Sequence, residues 1–304
     1  MSKQDLWEQP IKSTGENGIF KKQDWIKEAD GKIISAKLLR NCAKNAQLKF
    51  ENLTRDSNGN IIRASSKETF ELLDEKDAAN KASFLLLGYA IELLLKSSIV
   101  SLLISAPKKI LDKKMKSYSH GLINITNDLR LGLSREERSL LVELEKFIVE
   151  EARYPLKSYS PAEYCEDLNK VNQRFSDHSK FNLGVELFTR LRAVMMDIDG
   201  TPGDPKFYNH MGMEDNGFII FRAGGSLPAV IIIKFSDSQI RNGLNNLNHV
   251  RRLLLKKNEH DMTIYSRLME KTWMNAIFFV VDEKKGLKKV EYDYAGTPTS
   301  CTEP

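Results

Sequence analysis

Two charged residues stand alone in the most apolar stretch of the chain. Glu92 and Lys96 lie four residues apart in GYAIELLLKSS (88–98), and almost every other residue from Phe84 to Ile104 is apolar. A helix places them on one face, in the favourable order for an ion pair. In a membrane, each charge would oppose insertion by about 2.5–3.5 kcal/mol, which favours a buried core helix instead. Buried charges need partners, so the pair marks a candidate site.

The cysteines and histidines do not form a metal-binding pattern. Cys42, Cys165 and Cys301 are far apart, without the CxxC spacing of a zinc site or the even number typical of a disulfide framework. His249 and His260 lie eleven residues apart, and no carboxylate or thiol stands at metal-ligand spacing from them. We therefore predict no metal and no cofactor.

Three short motifs resemble known sites, but each lacks a feature that its site requires. RDSNGN (55–60) alternates like a calcium loop, yet Lys67 occupies the twelfth position, so we interpret it as a turn. RAGGSLP (222–228) joins two predicted strands and is not followed by a helix, unlike a phosphate-binding loop. In IIIKF, Ile232 stands where a restriction-type nuclease needs a carboxylate.

Two segments are rich in cations. PKKILDKKMK (107–116) holds five lysines against one aspartate, and HVRRLLLKK (249–257) carries four cations around three leucines. A solvated loop is the simpler interpretation of the first, and the solvated face of an amphipathic helix that of the second. Contact with a nucleic-acid backbone is the alternative for both. The cations concerned are Lys108, Lys109, Lys113, Lys114, Lys116, Arg251, Arg252, Lys256 and Lys257.

Apolar residues recur every three or four positions through much of the first two thirds of the chain, a spacing typical of helices. The predicted helices span residues 34–52, 65–104, 120–132, 134–155 and 182–198. Ser-x-x-Glu boxes at Ser65 and Ser134 are start signals for two of them. The second helix has a possible break near Asn80.

The last third has a different pattern. Residues 216–225 and 228–236 are β-rich runs joined by a Gly-Gly turn, which predicts a hairpin, and 275–283 predicts a third strand. Helical patterns fill 237–257 and 260–272. The predicted fold class is mainly α with a smaller α+β part. The predicted organisation is a loosely ordered arm (1–33), a helical bundle (34–198), a linker (199–205), a small α+β domain (206–290) and a disordered tail (291–304).

Composition sets only broad limits on function. The 304 residues include 46 Lys and Arg against 41 Asp and Glu, a formal charge of +5 that permits nucleic-acid contact without indicating it. The chain begins MSKQDLWEQP, which lacks the apolar segment of a secretory signal. We therefore expect a cytoplasmic protein that does not engage a membrane.

Three segments in order resemble the HEPN-domain proteins of bacteria. They are ASFLLLGYAIELLLKSSI (82–99), SHGLINITNDL (119–129) and LSREERSLLVELEKFIVEEARYP (133–155), and the similarity covers about residues 34–198. The resemblance implies an up-and-down bundle of four or five helices that commonly dimerises. It also implies a setting in toxin–antitoxin, phage-defence or RNA-processing systems. Residues 206–290 resemble no family that we recognise.

The resemblance raises the possibility of a metal-independent ribonuclease, in which Arg and His, with four to six residues between them, meet across a dimer. Histidine exchanges protons near neutral pH, and arginine stabilises charge developing on phosphate. No arginine precedes a histidine at that spacing here. Arg174 and His178 come nearest, with three residues between them, and would be adjacent on one helix.

The same resemblance groups Glu92, Lys96, His120, Arg153 and Tyr154. One interpretation is an internal network, with Glu92 paired to Lys96 or Arg153 and His120 capping its helix. The other is a pocket for RNA phosphate or a nucleotide, with Arg153 as anion ligand, Tyr154 as stacking surface and His120 as proton-transfer group.

Because the usual ribonuclease spacing is absent, we predict a HEPN-like module that binds RNA, a nucleotide or a protein partner without catalysis. It would act in a defence or toxin–antitoxin system, as a homodimer, with a cognate antitoxin as one possible partner. A ribonuclease using Arg153 with His120, or Arg174 with His178, is the first alternative. A structural interaction protein is the second, and it alone predicts no salt-sensitive affinity for RNA.

Overall fold

The structure, a computed structural model, describes residues 7–151, 154, 157–256 and 264–292. Among the described residues, seven α-helices form the first part. They are α1 (Lys22–Thr54), α2 (Ser66–Leu102), α3 (Lys108–Tyr118), α4 (Leu122–Asp128), α5 (Arg135–Lys146), α6 (Pro161–Ser176) and α7 (His178–Asp197). A π-helical turn, Phe147–Glu151, extends α5. The predicted fold class, mainly α with a smaller α+β part, is confirmed.

Helix α2 is the centre of the helical part. Its C-terminal half is mostly apolar apart from Glu92, Lys96 and several serines, and Leu87, Ile91, Leu94 and Leu95 are all fully buried. The helix is long and apolar enough to cross a membrane, but 72% of its most apolar window is buried inside the protein. This burial is the arrangement expected of the core helix of a soluble protein.

The C-terminal part is a five-stranded mixed sheet. A two-stranded ribbon comes first in the chain, formed by β1 (Gly200–Thr201) and β2 (Asp204–Pro205). The strands of the five-stranded sheet lie side by side in chain order and are β3 (Phe207–Gly212), β4 (Phe218–Ala223), β5 (Val230–Lys234), β6 (Ile277–Asp282) and β7 (Gly286–Val290). Neighbouring strands are antiparallel except β5 and β6. The crossover between those two contains α8 (Asp237–Arg241), α9 (Leu247–Lys256) and α10 (Ile264–Thr272).

The two faces of the sheet pack against different helices. Alternate residues such as Ile220, Ile232 and Phe279 join the core of the helical part. The opposite set, such as Phe221, Ile231 and Phe278, forms a second core with Val250 of α9 and with Met269 and Trp273 at α10. The period of two along a strand therefore gives three layers, in which the sheet lies between the bundle and α8–α10.

A buried polar cluster links the sheet to the bundle. The Asp128 carboxylate accepts a 2.6 Å hydrogen bond from the Tyr118 hydroxyl and lies 3.0 Å from Lys114 Nζ and 3.3 Å from Lys289 Nζ of β7. Burial by itself raises the pKa of Asp128, but the Tyr118 hydrogen bond and the two ammonium charges outweigh it and lower that pKa below its usual value. Burial, reinforced by Asp128, raises the pKa of Tyr118.

We expect Asp128→Asn to reduce the free energy of unfolding at pH 7 by about 1.5–3 kcal/mol, because it removes a charged hydrogen-bond acceptor. The lowered pKa of Asp128 stabilises the fold at pH values above its unfolded pKa of about 3.9, and that contribution disappears as the pH falls through the folded value. The variant should therefore lose less stability than wild type as the pH falls below about 4. Urea unfolding across pH tests this, with Asp112→Asn, whose partner Lys116 is mostly exposed, as control. Equal acid sensitivity of Asp128→Asn and wild type would contradict the expectation.

Several predicted boundaries differ from the structure. Helix α1 begins at Lys22, inside the predicted arm, and Ile11 of that arm is buried. The predicted break near Asn80 is wrong, because α2 is continuous there and the Asn80 side chain accepts a 2.7 Å hydrogen bond from Arg40. Ser134 forms its predicted capping box, whereas the Ser65 side chain makes no capping bond.

The loop predicted over 107–116 is instead helix α3. Ile110, Leu111, Met115 and Tyr118 recur at helical spacing and are buried, although lysines surround them. Conversely, the helical stretch predicted over 237–257 is interrupted after α8, where Gly243 has a φ of +66°. The predicted linker 199–205 forms the β1–β2 ribbon. Helix α6 and strands β3 and β7 were not predicted.

Candidate functional site

The side chains of Glu92, Lys96 and His120 contact one another at the edge of the helical core, close to the protein surface. Both carboxylate oxygens of Glu92 are used: Oε1 lies 2.6 Å from Lys96 Nζ, and Oε2 lies 2.9 Å from His120 Nδ1. Lys96 also donates a 2.8 Å hydrogen bond to the carbonyl of Ser119, a residue with a left-handed φ of +50°. The Glu92 and Lys96 side chains are 7% and 12% exposed, and that of His120 is 24% exposed.

This cluster holds the turn between α3 and α4. Helix α2 supplies the ion pair at i and i+4, and the ion pair fixes the strained Ser119 and the His120 that follows it. The centroids of the Tyr89 and His120 rings are 6.3 Å apart. Because its carboxylate and ammonium are mutually engaged, the group resembles the predicted internal network, with His120 as its most exposed member.

The other members of the predicted pocket are less fully described. Arg153 lies outside the described residues. Tyr154 is 66% exposed, a position open to solvent and to stacking.

Arg174 and His178 are not neighbours on one helix, contrary to the sequence-based expectation. Helix α6 ends at Ser176, and Asp177, with a ψ of 109°, caps the start of α7 at His178. The Arg174 guanidinium forms an ion pair with Glu151 and lies 3.4 Å from Glu143. Burial and the nearby cations Arg40 and Lys44 lower the pKa of His178. Arg174 thus joins α6 to the end of α5.

The five lysines of α3 are engaged within the protein. Lys108 pairs with Glu16, Lys109 with Glu8, and Lys116 with Asp112. Lys113 donates to the carbonyl of Glu283, and Lys114 pairs with Asp128. Helix α3 is therefore fixed to the N-terminal segment, to α4 and to the sheet by its cations.

The cations predicted on α9 differ in their contacts and in their exposure to solvent. Arg251 lies 2.9 Å from Glu270 of α10, and its hydrogen bonds to Tyr292 and Glu270 raise its pKa. Arg252 is exposed. For Lys256, only its position at the end of α9 is described, and Lys257 lies outside the described residues.

A polar cavity of about 300 Å³ lies where the N-terminal segment, α1, α2 and the β1–β2 ribbon meet. Residues 11–16 form one wall, and Ser101 of α2 and Lys206, just after β2, contribute to the others. Four lysines and two carboxylates line it, so its charge is positive. These residues are Lys12, Lys21, Lys22, Lys206, Glu16 and Asp199.

The cations of this cavity are held to different degrees. Lys22 and Lys206 share Asp199, at 2.5 Å and 3.2 Å, and Lys22 also donates to the carbonyl of Met195 at the end of α7. Burial by itself raises the pKa of Asp199, but these two lysines outweigh it and lower that pKa. Lys12 is exposed, and the half-exposed Lys21 lies 3.5 Å from Asp24.

Hydroxyl and amide donors surround these lysines. Ser13, Thr14 and Ser101 contribute hydroxyl groups to the lining. Helix α1 begins there at Lys22, and Lys21 makes no side-chain cap. The first N–H groups of a helix have no acceptor within it, and they carry the positive end of its dipole. Cations, hydroxyls and helix amides together form a suitable environment for a phosphate or carboxylate group.

Sequence patterns gave no signal for this cavity. Its residues come from positions 11–23, 100–104, 199 and 206. The sequence of each segment, taken alone, is typical of a polar loop or of the end of a helix. Within the described residues, no three His, Cys, Asp or Glu side chains converge as metal ligands would. Comparisons with protein-family models, with curated proteins and with solved structures found no match to this chain.

Proposed function

We propose that this protein is a HEPN-like binding module that takes a phosphate-bearing ligand, either RNA or a nucleotide, without cleaving it. The cationic cavity at the base of α1 carries the proposal, because Lys12 and Lys21 remain accessible beside hydroxyl and helix-amide donors. The resemblance to HEPN proteins suggests a cytoplasmic role in a bacterial defence or toxin–antitoxin system.

Binding without catalysis is favoured by the engagement of one candidate catalytic group. Arg174 is held by Glu151 and Glu143, on a helix separate from that of His178. An arginine that stabilises a phosphate needs its guanidinium free to face it.

Three exposed apolar residues on one side of α1 support the homodimer or antitoxin contact in this proposal. Ile34, Leu38 and Leu48 are 58%, 60% and 48% exposed on one side of that helix. Apolar residues at helical spacing on a solvent face provide a surface for a second helix, from another copy or from a partner protein.

We expect Lys12→Gln/Lys21→Gln to weaken binding of a labelled mixed-sequence RNA about 10-fold at low salt, and to reduce the slope of log affinity against log salt by about 1–2. The same double substitution should weaken ATP binding if the ligand is a nucleotide. Lys37→Gln/Lys49→Gln, two exposed lysines elsewhere on α1, is the charge-matched control and should change affinity less than twofold. Fluorescence anisotropy in EDTA measures all of these.

Gel analysis of the same RNA distinguishes binding from cleavage. Metal-independent cutting that is lost in His120→Ala would replace the binding proposal with the ribonuclease alternative. Absence of affinity for both RNA and ATP, or equal losses in the two double variants, would refute the cavity as the ligand site.

A further inference from the structure

A second cavity, of about 460 Å³, lies in the C-terminal part of the protein. It is formed by the end of β3, the turn after it, helix α8 and the outer side of α9. It belongs to the sheet face that is turned away from the helical bundle, and so it is separate from the cationic cavity. Its volume is within the range of small-molecule sites.

The walls of this cavity are mainly apolar. Ile219 of β4 forms the floor and is 2% exposed, while Leu253 of α9 stands at the mouth and is 37% exposed. Met211 and Met213 contribute two thioether side chains. Methionine adapts its shape to a ligand and makes favourable contacts with aromatic rings through its sulfur.

One buried amide is directed into this cavity by the cap of α8. Gln239 is 6% exposed, and its Oε1 accepts a 2.9 Å hydrogen bond from the Ser236 backbone N–H, as a capping box requires. Because the oxygen is committed, the orientation of the amide is fixed and its Nε2 faces the cavity. Among the described residues, its hydrogen-bond contact there is the Met213 sulfur, a weak acceptor 3.7 Å away.

A buried N–H donor with a weak acceptor is a polar group suited to a ligand oxygen. The half-buried His249 ring and Ser238 hydroxyl, and the exposed Asn242 amide and Glu214 carboxylate, are the other polar groups of the lining. This combination of apolar walls, flexible thioethers and a few convergent polar groups is typical of small-molecule sites.

We propose that this cavity binds a planar aromatic small molecule that carries a hydrogen-bond-accepting oxygen. The ring packs between the methionines and the leucines of α9, and the oxygen accepts a hydrogen bond from Gln239 Nε2. Occupation of the cavity stabilises the contact of α8 and α9 with the edge of the sheet.

Anilinonaphthalene sulfonate is a suitable probe, because it combines aromatic rings with acidic oxygens. We expect the full-length protein to bind one equivalent with enhanced fluorescence. Leu253→Trp, which fills the mouth from a part-exposed position, should weaken binding at least 10-fold. Ile240→Trp is the matched control, since Ile240 is 55% exposed on α8 and does not line the cavity. It should change affinity less than twofold.

Gln239→Glu tests the polar contact without removing the helix cap, because glutamate forms the same capping box. At pH 8 this variant should bind the sulfonate probe at least 10-fold more weakly. Phenylnaphthylamine, which has the rings but no acidic oxygen, should bind the variant and the wild type within a factor of two. Equal loss of both probes would mean that the amide does not contact the ligand, and would overturn that part of the proposal.

Methyl NMR of the nine methionines locates the bound probe. Shifts confined to Met211 and Met213 are expected. Binding of several equivalents, shifts spread over the other methionines, or insensitivity to Leu253→Trp would show that the probe reports general apolar surface, and would refute the site.

Discussion

Glu92→Met is expected to lower the free energy of unfolding by about 3–5 kcal/mol, the usual result of removing one partner from a buried ion pair. The substitution leaves the Lys96 ammonium, whose side chain is 12% exposed, without its carboxylate, and leaves His120 without the acceptor at Nδ1. It also loosens the strained Ser119 turn that Lys96 holds. Urea unfolding followed by circular dichroism measures the change.

The double variant Glu92→Met/Lys96→Met separates the effect of the unpaired Lys96 charge from that of the lost hydrogen bonds. Apolar replacement of a whole buried pair is often neutral or stabilising, so we expect it to recover most of the loss. Glu71→Met is the control on the same helix, because Glu71 and its partner Lys67 are 65% and 84% exposed. It should cost less than about 0.5 kcal/mol. A double variant as unstable as Glu92→Met would mean that the hydrogen bonds to His120 and Ser119, and not the unpaired Lys96 charge, account for the loss.

Gly224→Ala is expected to be as damaging as Glu92→Met, at about 3–5 kcal/mol, for a reason of backbone geometry. Gly224 has a φ of +83°, which is unfavourable for alanine, and an added Cβ would lie 2.2 Å from the carbonyl oxygen of Pro205. Both atoms belong to rigid backbone, so the β4–β5 turn must move away from the β1–β2 ribbon. The buried Arg222, two residues before Gly224, donates to the carbonyl of Ile198 at the end of α7.

Gly243→Ala is the matched control for this prediction. Gly243 has a φ of +66°, but an added Cβ there would have no atom within 4 Å. It therefore incurs only the left-handed backbone cost, about 1–2 kcal/mol. Similar destabilisation of the two variants in thermal and urea unfolding would show that the close approach to Pro205 is not important.

Local sequence alone determined the features that depend on neighbouring residues. The ion pair of Glu92 and Lys96 follows from their four-residue spacing, and the capping box at Ser134 from its Ser-x-x-Glu pattern. The hairpin of β4 and β5 follows from two β-rich runs around Gly224 and Gly225. The RDSNGN turn follows from an aspartate that accepts hydrogen bonds from Asn58 and Asn60.

Contacts between distant segments were decided only by the tertiary structure. His120 reaches Glu92 across 28 residues, and Lys289 reaches Asp128 across 161. The lysines of α3 read as a solvated loop because their partners, Glu8, Glu16 and Glu283 among them, lie far away in the chain. Periodicity reports which side of a helix or strand is apolar, but it does not tell which other element will cover that side.

Both cavities also depend on contacts between segments that are distant in the chain. The cationic cavity needs residues 12 and 206 to meet at the start of α1, and the apolar cavity needs the end of β3 to face α8 and α9. Hydrogen bonds and ion pairs act over a few ångströms, so a sequence specifies them locally only when a single turn brings the two groups together. Here the chemistry most suited to ligands arises where separate segments converge, and only the tertiary packing of those segments brings their side chains together.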